Sequence, residues 1–336
     1  MSRRSWWALW LLGLLAGCAS VPEPPAPAGS VEPRIEAQAW IASDGRRLPL
    51  TRWQGGGQTR GVILALHGFS EHRGAFFALA PHLAARGYTV YAYDQRGFGG
   101  TASRGYWAGT TRLVEDARTL YRLLQRRYPE QPVHLLGHSM GAAIATLAIT
   151  GERAIEPASA ILIAPGFQGW DTLPWLRRVA LRFTHVIAPG LQPRQRWARA
   201  FAEIQVTDDP VIARLQARDP QILHKVRIDM IHGVVELMDR AVDRIEVLPR
   251  RSLIQYGERD DIIPVAAACA MFERLMRAQR TIVLRLYPNG YHYLTRDRQR
   301  ERTIRDIRAW LGGPVSRSDT PSTAITPEAA HDRMCH

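Results

Sequence analysis

The chain reads as an α/β protein: a mostly parallel sheet covered by helices on both faces, with a helical cap inserted into it. Three observations predict this. Short apolar runs alternate with longer amphipathic runs from Val62 onward, the rhythm of strand–helix–strand units whose sheet is buried on both sides. The rhythm breaks at about 167–246, where helical periodicity continues without a convincing strand. A Gly137-His138-Ser139-Met140-Gly141 sequence joins an apolar run to an Ala-rich run. Between a strand and a helix, that pattern puts a serine on a sharp, strained turn with its hydroxyl projecting free.

The first residues read as an export signal. Arg3 and Arg4 precede an apolar stretch at 6–15 that is too short to span a bilayer stably. Leu15-Ala16-Gly17-Cys18 follows and resembles a bacterial lipobox, whose cysteine becomes the acylated mature N-terminus. Residues 1–17 are therefore expected to be removed, leaving Cys18 as the anchor of a cell-envelope lipoprotein held at a membrane. Ala19 after the cysteine resembles the pattern of outer-membrane sorting. Residues 18–33 are rich in proline and alanine, an extended tether.

The folded domain is expected at 34–312. Extended segments at 34–41 and 48–53 flank Asp44-Gly45, a hairpin turn signal. Strands follow at 62–66 and 89–93, with helices at 76–86 and 113–128; the strand at 133–136 leads into Ser139, and another strand lies at 160–164. In the cap, Leu176, Val179, Phe183 and Val186 recur at helical spacing, with Arg177, Arg178 and Arg182 on other faces. That apolar stripe is expected to pack on the sheet domain. Ile231, Val235, Met238 and Val242 mark a second cap helix. Strands resume at 252–256 and 282–287, and helices at 265–279 and 298–311. The Ser/Thr/Pro/Ala-rich tail at 313–336 reads as disordered.

A serine hydroxyl needs a general base, and the base needs an acid to orient it. Acid candidates lie just after the strand at 252–256: Asp260 and Asp261, with Glu258 a lesser one. The base candidate is His292, after the last strand and before the last helix; His138 reads as structural because it adjoins the serine. An oxyanion needs two amide donors. Met140, opening the helix after Ser139, supplies one, and Phe69, in the loop after the strand at 62–66, the other.

These stretches share an order. His67-Gly68…Glu71-His72, Tyr93-Asp94-Gln95-Arg96-Gly97-Phe98-Gly99, Gly137…Gly141, Gly257…Asp260…Pro264 and Tyr287…Tyr291-His292 resemble the monoacylglycerol lipase and lysophospholipase group of α/β-hydrolases, often merged with serine aminopeptidases. The resemblance spans about 40–311. It implies the α/β-hydrolase fold with a cap, Ser139 as nucleophile, Asp260 as acid and His292 as base. The family commonly has Gly-His-Gly where this chain has Gly97-Phe98-Gly99. The implied activity is cleavage of carboxylic esters of single-chain lipids, monoacylglycerol or lysophospholipid, through an acyl-enzyme, without metal or cofactor.

Two other readings remain open. An aminopeptidase of proline-iminopeptidase type needs cap carboxylates to hold a free amine, for which Glu203, Asp208 and Asp209 are candidates. A non-catalytic envelope lipoprotein needs only the scaffold. The net charge of +13 is almost wholly arginine; it is dispersed, and no recognition motif points to nucleic acid. Three cysteines, Cys18, Cys269 and Cys335, are too few for a disulfide framework. Cys269 reads as a small core residue and Cys335 as part of the loose tail. Oligomeric state is not legible.

Overall fold

The computed structural model describes residues 29–193, 205–278, 282–312 and 324–335. The signal segment at 1–17, Cys18, most of the tether and Glu203 lie outside these residues. Strands β1 (Arg34–Ile35), β2 (Ala39–Ile41) and β3 (Arg47–Trp53) open the domain. The segment expected as one strand at 34–41 folds back on itself, with Arg34 opposite Ile41. The Asp44-Gly45 turn then joins β2 to β3, with Gly45 at φ 77°.

The parallel core follows: β4 (Gly61–Leu66), β5 (Tyr88–Tyr93), β6 (Val133–His138), β7 (Ala160–Ile163), β8 (Ser252–Gly257) and β9 (Val283–Tyr287). Every residue of β4, β5, β6, β7 and β8 is buried, which accounts for their continuous apolar sequences. The sheet order is β1-β2-β3-β5-β4-β6-β7-β8-β9-β10, with β10 at Ala324–Ile325. Because β4, β6, β7, β8 and β9 are adjacent and parallel, their C-terminal loops gather on one edge. Functional groups collect there in open α/β sheets.

Nine helices accompany the strands among the described residues: α1 (Ala80–Ala84), α2 (Thr110–Arg127), α3 (Met140–Ile149), α4 (Trp175–Ile187), α5 (Pro210–Arg218), α6 (Ile228–Val242), α7 (Val265–Arg277), α8 (Arg300–Leu311) and α9 (Pro327–Met334). The helix expected at 76–86 shrinks to a 3-10 turn, Arg73–Phe76, and the short α1. The cap is helical, as its periodicity requires, but it contains α5, which sequence periodicity did not mark. Asp209 caps that helix, accepting from the Val211 and Ile212 amides.

The expected packing of α4 is corrected. Leu176, Val179, Phe183 and Val186 do not face the sheet domain; Phe183 is 63% and Val186 78% exposed. The helix rests instead on α6, outside the sheet layer. A ring stack fastens it: Arg182 lies 4.7 Å from the Trp170 ring, Trp170 5.2 Å from His232, and His232 3.9 Å from His185. Helix α6 does the burying, with Met230, Leu237 and Ala241 fully enclosed.

The C-terminal residues are a second correction. The order of the chain does not stop at Gly312: β10 pairs antiparallel with β9, Ala324 opposite Arg285, and α9 packs on α7. Cys269 and Cys335 form a disulfide across a separation of 66 residues. Arg333 pairs with Glu258 at 2.7 Å, and Ala330 is fully buried. The polar composition hid this because the holding contacts are few and distant in sequence. Cys335→Ser is expected to lower unfolding stability by about 2–4 kcal/mol, measured by denaturant titration without reductant.

Candidate active site

Strand β6 ends at His138 and α3 begins at Met140, so Ser139 alone makes the turn between them. Its backbone has φ 53° and ψ −117°, a conformation a side-chain-bearing residue rarely adopts. The turn is held from both sides. The Ser139 amide donates to the Ile163 carbonyl at 3.0 Å, and its carbonyl accepts from the Gly166 amide at 3.1 Å. The glycines are required by space: a Cβ on Gly141 would sit 2.1 Å from the Leu66 carbonyl oxygen, and one on Gly137 2.4 Å from the Gly141 oxygen.

Two strands away, β8 delivers Asp260. One carboxylate oxygen accepts from the Ile262 and Ile263 amides at 2.9 and 3.0 Å; the other accepts from His292 Nδ1 at 2.7 Å. With Nδ1–H donating to the carboxylate, Nε2 is left as the ring's free acceptor. The other acids of this loop lie elsewhere. Asp261 is exposed and accepts from the Gln205 amide at 3.3 Å, while Glu258 is engaged by Arg333. Ser139, Asp260 and His292 are all buried.

Phe69, Ser139 and Met140 line one cavity of about 400 Å³ with Gln168, Leu173, Arg177, Leu181, Ile231, Val234, Val235, Met238, Ile262 and Ile263. The two residues expected to supply oxyanion donors therefore line the same cavity as the serine. Phe98 is fully buried and packs edge-on against both His67 and Phe69, so the Gly97-Phe98-Gly99 departure supports the loop that carries Phe69. An open cleft of about 650 Å³ lies elsewhere, between α2 and α6. It is polar and reaches none of these three groups.

Sequence reasoning missed the network beneath the site. Glu71, fully enclosed, accepts from the Gly68 amide at 3.1 Å, His138 Nδ1 at 3.0 Å and Arg296 Nη2 at 2.5 Å. Burial pushes its carboxyl up, but Arg296 and His138 outweigh that and hold it well below the ordinary value. His138 turns its other nitrogen to the His292 carbonyl at 3.1 Å, a structural role as expected. One carboxylate thus ties the Phe69 loop, the serine turn and the His292 loop together. The available signal was an acid in a strand-end loop, but its sequence neighbours His72 and Arg73 gave no hint that Arg296 is its partner. Glu71→Ala strands Arg296 without its partner in the interior. Chemical denaturation is expected to show a loss of about 3–5 kcal/mol, and a smaller one for Glu71→Gln, whose amide oxygen still accepts.

Nearby His67 is held neutral. Burial lowers its value to about 4; Nδ1 donates to the Gly68 carbonyl at 2.8 Å and Nε2 accepts from the Gln95 amide at 3.0 Å. Two of the carboxylates considered for amine binding, Asp208 and Asp209, are used structurally, while Glu203 lies outside the described residues. Asp209 caps α5 and pairs with Arg300 at 3.0 Å, and Asp208 accepts from the Arg298 amide at 2.8 Å. Neither lines the cavity. Among the described residues no cluster of three or more His, Cys, Asp or Glu is arranged to hold a metal ion.

A serine on a strained turn, an imidazole oriented by a buried carboxylate, and an apolar cavity above them suit acyl transfer on an apolar ester. The chain is similar to several known proteins. Residues 57–299 match the family described as serine aminopeptidase, S33. The monoacylglycerol lipase of Mycolicibacterium smegmatis is 27% identical over 269 residues, 80% of this chain and 93% of the relative. The monoglyceride lipase of Saccharomyces cerevisiae is 33% identical over 293 residues, 80% and 90% of the two chains. Among solved structures, the monoacylglycerol lipase of Paleococcus ferrophilus superposes with a TM-score of 0.63 at 22% identity, covering 79% of this chain and 98% of that one. A soluble variant of the yeast enzyme with a substrate analogue gives 0.64 at 19% identity, covering 87% and 98%. With the family match spanning most of its length and the fold shared over 79% of it, the chain belongs to the serine aminopeptidase S33 family of α/β-hydrolases.

Proposed function

We propose that Ser139 attacks the acyl carbonyl of a single-chain lipid ester, a monoacylglycerol or lysophospholipid. His292 takes the serine proton and returns it to the leaving alcohol, while Asp260 holds the ring. The Phe69 and Met140 amides donate to the developing oxyanion. Water then attacks the acyl-enzyme by the same proton route and releases the fatty acid. The protein is a carboxylic-ester hydrolase by its relatives, and the observation that carries the substrate class is the cavity. Among the described residues its lining is almost wholly apolar and carries no acid, which suits an acyl chain better than the free amine of an aminopeptidase substrate. The test is a panel of monoacylglycerols, lysophospholipids, short p-nitrophenyl esters and aminoacyl amides, run on protein from Glu32 onward. Lipid esters should be preferred; aminoacyl amides turned over best would favour the peptidase reading. Failure of a fluorophosphonate probe to label Ser139 would favour a non-catalytic scaffold.

We also propose that Cys18 is acylated and holds the domain at the bacterial envelope, in the outer membrane. The basic-then-apolar segment ending in Leu15-Ala16-Gly17-Cys18 supports this, and so does the Cys269–Cys335 bond, since disulfides persist in oxidising compartments. Cys18→Ser should abolish labelled-palmitate incorporation and shift the protein out of the membrane fraction. Labelling that persists would refute the anchor.

A further inference from the structure

Helix α4 carries three arginines near the cavity, and two are occupied. Arg178 pairs with Asp171 at 3.0 Å, and Arg182 stacks on Trp170 at 4.7 Å. Arg177 differs: it lines the cavity above Ser139, and no carboxylate pairs with it among the described residues. The remaining lining is Leu, Ile, Val, Met and Phe, with Ser139 and Gln168 the other polar side chains. Asp260, the acid nearest the chemistry, is buried against His292 and outside that lining. Among the described residues, Arg177 is therefore the only charged side chain in the cavity lining, and no carboxylate of that lining offsets it. A guanidinium is always charged and presents a fork of donors matched to phosphate or carboxylate oxygens.

We propose that Arg177 selects substrates carrying an oxyanion away from the scissile ester, namely single-chain lipids with a phosphate headgroup. This rests on the ester-hydrolase reading above and sharpens it. With the ester at Ser139 and the acyl chain among the apolar side chains, the headgroup phosphate meets Arg177 on the cap. A neutral glycerol headgroup makes no such ion pair. The carboxylate generated by hydrolysis is formed at Ser139, away from Arg177, so the charge reads substrate rather than product. Arg177 is exposed, so its attraction is screened by salt.

The test uses two water-soluble esters that differ by one group, 1-hexanoylglycerol and 1-hexanoylglycerol 3-phosphate. Both are monomeric, which removes any contribution from attraction to an anionic lipid surface. The readout is the ratio of kcat/KM for the phosphorylated ester to that for the neutral one. Arg177→Gln should lower this ratio about tenfold, mainly through KM, as expected for a lost charge-assisted hydrogen bond. Arg178→Gln, which removes the same charge one residue along, should leave the ratio as it is. Raising ionic strength should lower the parent ratio and leave the Arg177→Gln ratio nearly flat. A ratio unchanged in Arg177→Gln, or lowered equally by Arg178→Gln, overturns the inference while the ester-hydrolase reading stands. If the parent turns over neither ester nor any longer monoacylglycerol, that reading and the inference fall together.

Discussion

Ser139→Ala is expected to reduce ester hydrolysis by about 10⁴-fold or more while the protein stays folded. The turn that carries this residue is fixed by backbone bonds to Ile163 and Gly166, none of which needs the hydroxyl. Circular dichroism and melting should therefore follow the parent as the acyl-enzyme becomes impossible. His292→Ala should behave alike, because the serine then has no general base. Turnover within about tenfold of the parent in either variant would remove both residues from the proposed mechanism.

Asp260→Asn should be nearly as severe, on the order of 10⁴-fold in kcat. The amides of Ile262 and Ile263 claim one oxygen of the present carboxylate, leaving the other for His292 Nδ1. In the variant the carbonyl oxygen stays with those amides, so the new NH₂ faces Nδ1. The ring then carries its proton on Nε2 and cannot accept the serine proton. Asp261→Asn, one residue along on the surface, should change little. Steady-state kinetics on a short p-nitrophenyl ester distinguishes the two, and reversed severities would transfer the orienting role to Asp261.

The sequence was most informative where the physics is local. Gly137 and Gly141 are demanded by close backbone approach, and the apolar runs of β4 through β8 by burial on two faces. The order serine, acid, histidine placed each candidate in a loop at the same sheet edge. Periodicity located α4 but not its orientation: amphipathicity says that one face differs from the other, not that a sheet lies beneath it. The Glu71–His138–Arg296 network was hard to read because its members come from two loops and the end of β6, and no spacing in the chain brings them together. The segment ending in α9 was hidden for a related reason. Its composition is polar, and it is held by the disulfide, the Arg333–Glu258 pair, packing of α9 on α7 and a short strand pairing, all distant in sequence.

That last segment bears on how the protein behaves at high concentration. Two-residue strands, β1 and β10, stand at the two margins of the sheet among the described residues, and short edge strands are poor templates for another chain. Beneath β10 lies β9, Val-Leu-Arg-Leu-Tyr, a sequence of high strand propensity in which Arg285 is the only charge. The disulfide helps keep that strand covered: it ties α9 to α7, and α9 follows β10, the strand paired with β9. Reductant added during purification would loosen the tether and expose the backbone of β9 to a neighbouring molecule. Colloidal stability and shelf life would then be set by the redox state of a bond remote from the catalytic groups.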